Sequence, residues 1–195
     1  MNQEISSSKF LPNLNSCTIA VIGLGYVGLP LAVEFVKRQK CLRSGNSLSR
    51  KIIGYDINKK RIEELSSGID CTKEIINEEK KFIKEINLTF DEKELIQADV
   101  FIFTVPTPID ESKRPDLNPL ISVTKQISFC LKERKTKKEK EFISPIIIIE
   151  STVYPGLTEE IIVPIIENKA NLKLNNPFPK KGFFCGYSPE RINPG

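Results

Sequence analysis

The chain has no histidine and no tryptophan, a single methionine, and five cysteines that never form a C-x-x-C pair. Each shortage excludes something. Without histidine the commonest metal ligand and the commonest general base are both gone, so catalysis would have to draw on carboxylates, lysines, thiols or hydroxyls, and no metal site is expected. The cysteines at 17, 41, 71, 130 and 185 are odd in number and scattered, which argues against a disulfide scaffold and for reduced thiols in a cytoplasm. No apolar run approaches the roughly 18–20 residues that a membrane helix needs. The opening MNQEISSSKFLPNLNS has neither the apolar core nor the cleavage site of a secretory signal. Residues 1–16 read as a flexible arm and residues 17–195 as one domain. A net charge of +4 suits an anionic ligand without identifying it.

What is present has a rhythm. Short β-branched runs at 18–23, 51–55, 88–90, 100–105, 146–150 and 183–187 alternate with stretches of helical spacing at 27–38, 59–65, 117–132 and 158–166. Continuous apolar strands alternating with helices predict an α/β fold: a doubly wound, mostly parallel sheet of about six strands with helices on both faces. Two segments interrupt it. Residues 40–51, KCLRSGNSLSRK, read as an exposed polar loop. Residues 132–140, KERKTKKEK, carry six basic and two acidic residues; with acids interrupting and no aromatics interleaved, they read as a solvated helix end, not a nucleic-acid contact.

Gly23, Gly25 and Gly28 form a G-x-G-x-x-G that follows the first strand and opens the first helix. That context is what a dinucleotide requires. The first glycine permits a tight turn, the second lets backbone approach a pyrophosphate, and the third lets helix pack on strand, with the helix N-terminus offering free N–H groups to phosphate. A Rossmann-type reader also needs an acid at the end of its second strand, roughly 20 residues on, for the ribose hydroxyls. Asp56 ends KIIGYD 28 positions after Gly28, and the excess matches the polar loop at 40–51. An acid there disfavours a 2′-phosphate, hence NAD over NADP. The alternative is that Asp56 only caps the helix starting near Asn58.

Beyond the glycine loop, GLGYVGLPLAVEF, GYDIN with Arg61, TVPTPID, PDLNPL, ESTVYPGLTEE and GYSPERINPG occur in the order seen in the UDP-glucose/GDP-mannose dehydrogenase family. From Thr18 to Gly195 the chain resembles that family, and most of all its branch acting on UDP-N-acetylglucosamine or UDP-N-acetylgalactosamine in Vi-type capsule and O-antigen synthesis.

The resemblance implies roles. It assigns Tyr26, Val27, Arg61, Val105, Thr107 and Thr152, beside the glycines and Asp56, to the dinucleotide. It gives Glu190 and Thr152 catalytic roles, the glutamate handling protons and the threonine orienting water or an alkoxide. Glu190, Arg191, Ile192 and Asn193 fall to the sugar site. Plainer readings stand beside these: a rigid turn for Thr107, a helix cap for Ser151 or Thr152, a surface carboxylate for Glu190.

The family's chemistry is a four-electron oxidation of a sugar C6 alcohol to a carboxylate, using two NAD in sequence and a cysteine thiolate that carries a thioester. Its thiolate comes from a C-terminal domain, and a lysine and an asparagine from a central helical one. Both domains are expected to be missing here, leaving a fragment that binds NAD and part of a UDP-sugar without the catalytic cysteine. Cys185 reads as an inert thiol. Family members oligomerise through the central helices, so a monomer is expected. The competing readings are a non-catalytic NAD-sensing module and an inactive truncated gene product.

Overall fold

The computed structural model describes residues 10–109, 114–137, 143–176 and 181–188. Seven runs become strands: β1 (Thr18–Ile22), β2 (Lys51–Tyr55), β3 (Asn87–Thr89), β4 (Val100–Phe103), β5 (Ile146–Ile149), β6 (Lys173–Leu174) and β7 (Gly182–Tyr187). They form one sheet in the order β3-β2-β1-β4-β5-β7-β6, with every pair parallel. The helices are α1 (Gly28–Lys37), α2 (Lys59–Ser66), α3 (Lys80–Ile83), α4 (Asn118–Lys137) and α5 (Val163–Ala170).

Alternate strand residues feed two cores. Ile19, Val21, Val100 and Ile102 pack with Leu29, Ala32 and Val33 of α1, Ile62 and Leu65 of α2, and Ile83 of α3. Ala20, Ile22, Phe101, Phe103, Ile147 and Ile149 pack with Leu120, Ile127 and Leu131 of α4 and Ile166 and Ala170 of α5. Both faces are covered, which is why VFIF and IIII carry no polar alternation. Each fully buried Phe or Ile contributes about 1.5–3 kcal/mol relative to exposure.

The structure departs from the expected pattern in three places. The sheet has a seventh strand, β6, only two residues long. The second half of the segment at 158–166 is α5, and a wide turn at Thr158–Ile162 leads into it, with the Val163 N–H on Thr158 O. Pro164 has no N–H to give the preceding turn, which accounts for the loosened geometry. In the charge run at 132–140, α4 continues to Lys137, and Arg134 is not solvated at all. It is 1% exposed, and its Nη2 pairs with Asp99.

The polar loop is built as a small hairpin. Lys40 and Ser47 make an antiparallel bridge, and Cys41 N–H donates to Asn46 O at 2.8 Å. Its far end is tied to the start of the chain: Ser49 N–H donates to Asn15 O at 2.7 Å, and Arg50 Nε to Leu14 O at 2.6 Å. Phe10 O accepts from Ser144 N–H, so from Phe10 onward the expected arm is bonded to the domain, while residues 1–9 lie outside the described residues. Among the described residues no helix is long and apolar enough to cross a membrane.

Candidate cofactor site

The chain leaves β1 for α1 on one face of the sheet and leaves β4 for α4 on the other, so a crevice opens between their carboxyl ends. Open α/β sheets bind ligands at such a point. A cleft of about 700 Å³ lies there, lined among others by Gly23, Gly25, Tyr26, Val27, Asp56, Val105, Thr107 and Thr152. Eight of the residues assigned to the dinucleotide from sequence thus share one cavity.

The glycines divide the work. Gly23 has φ +97°, and a Cβ there would lie 3.0 Å from Thr104 O. A Cβ on Gly28 would collide with the Gly23 carbonyl oxygen and the Thr104 hydroxyl, so Gly28 is where helix meets strand, outside the cleft lining. At Gly25 a Cβ would meet nothing within 4 Å, because that position faces the open cleft. The first N–H of this turn to reach a helical acceptor is Leu29's, on Gly25 O at 3.1 Å. Those of Gly25, Tyr26 and Val27 come before it, at the positive end of α1.

Asp56 directly follows β2, whose last residue Tyr55 pairs with Ile22 of β1. Its Oδ2 accepts from Leu24 N–H at 2.8 Å and its Oδ1 from Asn58 N–H at 2.9 Å. The cap of α2 is Asn58, whose side chain accepts from Lys60 and Arg61 N–H. Asp56 is therefore not the cap itself; its carboxylate braces the glycine loop and keeps lone pairs facing the cleft.

Arg61 lies behind the loop, 8% exposed and outside the cleft lining. Its Nε donates to Leu24 O at 3.0 Å, and its Nη2 reaches Asp70 Oδ1 and Thr72 Oγ1, both at 2.9 Å. Burial pushes the Asp70 carboxyl up, but hydrogen bonds from Thr72, Arg61 and Ile75 N–H outweigh it and hold the group below its ordinary value.

Across the cleft, the loops after β4 and β5 are sewn together. The Thr104 hydroxyl lies 2.8 Å from Gly23 O, and the Ser151 hydroxyl donates to Val105 O at 2.7 Å. Thr107 Oγ1 donates to Thr152 O at 2.8 Å. Neither Ser151 nor Thr152 caps the following helical segment, which starts after Leu157 with no side-chain cap. Glu190, Arg191, Ile192 and Asn193 lie outside the described residues.

Sequence reasoning missed the far wall. Gln126 Nε2 donates to Tyr55 Oη and to Glu92 Oε2, both at 2.7 Å, and all three residues line the cleft, as do Ile57 and Glu150. Burial pushes the Tyr55 phenol up. Gln126 sits mid-helix and Glu92 in a short helical turn, with no motif to flag them. The described lining holds three carboxylates, Asp56, Glu92 and Glu150, and no lysine or arginine. A pyrophosphate here would be held by backbone N–H groups and the α1 dipole, whereas a further phosphate on the ribose would meet carboxylate. The donor set fits NAD.

The comparisons agree. The chain is 48% identical over 177 residues to a UDP-N-acetyl-D-glucosamine 6-dehydrogenase of Pseudomonas aeruginosa, covering 91% of this chain and 36% of that protein. It is 44% identical over 179 residues to Protein CapL of Staphylococcus aureus, covering 91% and 35%. Among solved structures, a UDP-D-ManNAc dehydrogenase of Pyrococcus horikoshii superposes with TM-score 0.68 at 29% identity, over 91% of this chain and 37% of that one. The chain thus spans little more than a third of these relatives' length. Residues 17–195 match the UDP-glucose/GDP-mannose dehydrogenase family, NAD binding domain, and with the glycine loop and Asp56 in one cleft, the chain belongs to that family.

Proposed function

We propose that the chain forms the NAD-binding part of a cytoplasmic nucleotide-sugar 6-dehydrogenase that oxidises the C6 alcohol of a UDP-N-acetylhexosamine to the uronate with two NAD in turn. The observation that carries this reading is the continuity of the cleft, from the glycine loop and Asp56 at one end to Thr107 and Thr152 at the other. Gly25, Tyr26 and Val27 N–H groups hold the pyrophosphate, and Asp56 takes the ribose hydroxyls. Bound NAD supplies the hydride acceptor. Thr152 orients the oxygen of the reacting alcohol, and Glu190 moves protons to and from water in the later hydrolysis. Val105 and Thr107 shape the nicotinamide end, and Arg191, Ile192 and Asn193 the sugar end.

The acyl-carrying thiolate comes from elsewhere than the five cysteines described. None of them lines the cleft, and burial pushes the Cys130 and Cys185 thiols to about 12. All five are free thiols. Oligomer formation would likewise draw on surfaces beyond these residues.

Calorimetric titration with NAD and NADP tests the first part. NAD should bind at least about tenfold more tightly, because a 2′-phosphate faces the Asp56 carboxylate. A folded chain that binds neither, or prefers NADP, ends this reading. Adding UDP-N-acetylglucosamine and NAD tests the second: uronate formed by the 195 residues alone would overturn the division of labour, whereas tighter NAD binding in its presence, lost in Glu190→Gln, would support the sugar site.

A further inference from the structure

Leu24 stands between two of the glycines, and its backbone is gripped on both sides. Asp56 Oδ2 takes its N–H at 2.8 Å, and Arg61 Nε donates to its carbonyl oxygen at 3.0 Å. Arg61 is in turn gripped by the loop after α2. Its Nη2 donates to Asp70 Oδ1 and Thr72 Oγ1, Thr72 Oγ1 donates to Asp70 Oδ1 at 2.7 Å, and Ile75 N–H holds Asp70 Oδ2 at 3.1 Å. Asp70 is 7% exposed, so this is a seated carboxylate and not a surface charge.

The peptide bond from Leu24 to Gly25 is trans. In a trans peptide the carbonyl oxygen and the following N–H point in opposite directions across one rigid plane. Drawing Leu24 O back onto the buried Arg61 therefore turns the Gly25 N–H the other way, away from Arg61, at a residue that lines the cleft and where a Cβ would meet nothing within 4 Å. Gly25, with no Cβ, borders this plane on its far side, so without an anchor the plane could swing more freely than between two residues that carry side chains.

We infer that Asp70 and Thr72 are positioning residues for the dinucleotide pyrophosphate: through Arg61 and the Leu24 carbonyl they fix the Gly25 N–H as a phosphate donor, although neither lines the cleft. The latch acts on backbone direction, so it concerns the phosphate and not the adenosine. This rests on the reading of the cleft as an NAD site.

The test separates ligands that carry the pyrophosphate from one that does not. ADP-ribose and adenosine are titrated into the wild-type chain, Asp70→Asn, Thr72→Val and Arg61→Lys, by calorimetry for the first ligand and saturation-transfer NMR for the second. The variants should bind ADP-ribose roughly tenfold more weakly, the size of one charge-assisted hydrogen bond, with adenosine changed by less than about twofold. In the wild type, the Gly25 amide resonance should move on ADP-ribose and stay in place on adenosine.

Equal losses for both ligands would mean general loosening and overturn the latch, as would folded variants with undiminished ADP-ribose affinity. Should the Asp70 variant fail to fold, the Gly25 resonance and the exposed Thr72 variant still decide: a Gly25 signal indifferent to ADP-ribose sinks the inference. A folded wild type that binds neither NAD nor ADP-ribose fails differently, by removing the cofactor reading first and the latch with it.

Discussion

The Thr107 hydroxyl donates to the carbonyl oxygen of Thr152 across 2.8 Å, joining the loop that leaves β4 to the loop that leaves β5. Forty-five residues of sequence separate the two, yet this bond, with that of the Ser151 hydroxyl on Val105 O, ties the loops together where they line the cleft. Thr107→Val keeps the shape and removes the donor. It should weaken NAD binding by about fivefold, near 1 kcal/mol, while the melting temperature stays within about 2 °C because the bond is exposed. Thr107→Ser should restore the affinity; calorimetry and a thermal melt on both variants decide it.

Gly25 and Gly28 make a matched pair of opposites. Alanine at 28 drives a methyl into the Gly23 carbonyl, a backbone atom that cannot step aside, and should cost about 3 kcal/mol or more in a urea melt. Alanine at 25 meets open space, so stability should hold within about 1 kcal/mol while NAD affinity falls at least tenfold because the methyl stands where phosphate must approach. The reverse ranking of stabilities would contradict both assignments.

Asp70 gives the fold an acid dependence of definite sign. Its carboxyl is held below the ordinary aspartate value in the folded chain, so the unfolded chain binds this proton more readily. The stabilisation is complete above the unfolded-state value and fades as pH falls through the lower folded-state one. The stability gap between wild type and Asp70→Asn should therefore be widest near neutrality and shrink below about pH 4. Urea melts across that range read it directly; a gap constant down to about pH 2.5 would refute the argument.

How far was this legible beforehand? The strands at the centre were, because VFIF and IIII have no partner but a doubly covered sheet. The position of Asp56 was legible too, once the polar loop at 40–51 was discounted: it follows β2 directly, beside the end of β1. β6 was not: Lys173 and Leu174 form a strand only because β7 lies beside them, and two residues have no period. Arg134 was misread for a related reason. Among five basic neighbours it looks like one more solvated charge, but its face of α4 turns inward, where Asp99 waits 35 residues upstream. Local charge counts cannot see a partner that the fold supplies. Gln126 and Glu92 escaped likewise, since their link to Tyr55 exists only in three dimensions.

Thiol reactivity should follow environment, not sequence order. Hydrogen bonds from the Ser44 side chain and from the Ser44 and Arg43 N–H groups draw the Cys41 thiol down to about 7, while burial sends Cys130 and Cys185 to about 12. Cys71 is exposed, but its bond to Glu64 raises it. Brief treatment with iodoacetamide at about pH 7.5 should mark Cys41 first, at least about tenfold faster than Cys130 or Cys185, as read by peptide mass spectrometry. Early labelling of either buried thiol would show that its packing is looser than described.

The small hairpin at 40–50 enters the sheet at the amino end of β2, the edge opposite the cleft. Extra chain inserted there alters the distance counted along the sequence between the glycines and Asp56, yet leaves Ile22 and Tyr55 side by side. Loop closure grows only slowly with length, so such growth is thermodynamically cheap. The spacing between cofactor-binding landmarks in this fold is thus an elastic tether on one side of the sheet and a fixed ruler on the other. The amino edge is accordingly where a reporter peptide or an epitope could be grafted while the dinucleotide end keeps its dimensions.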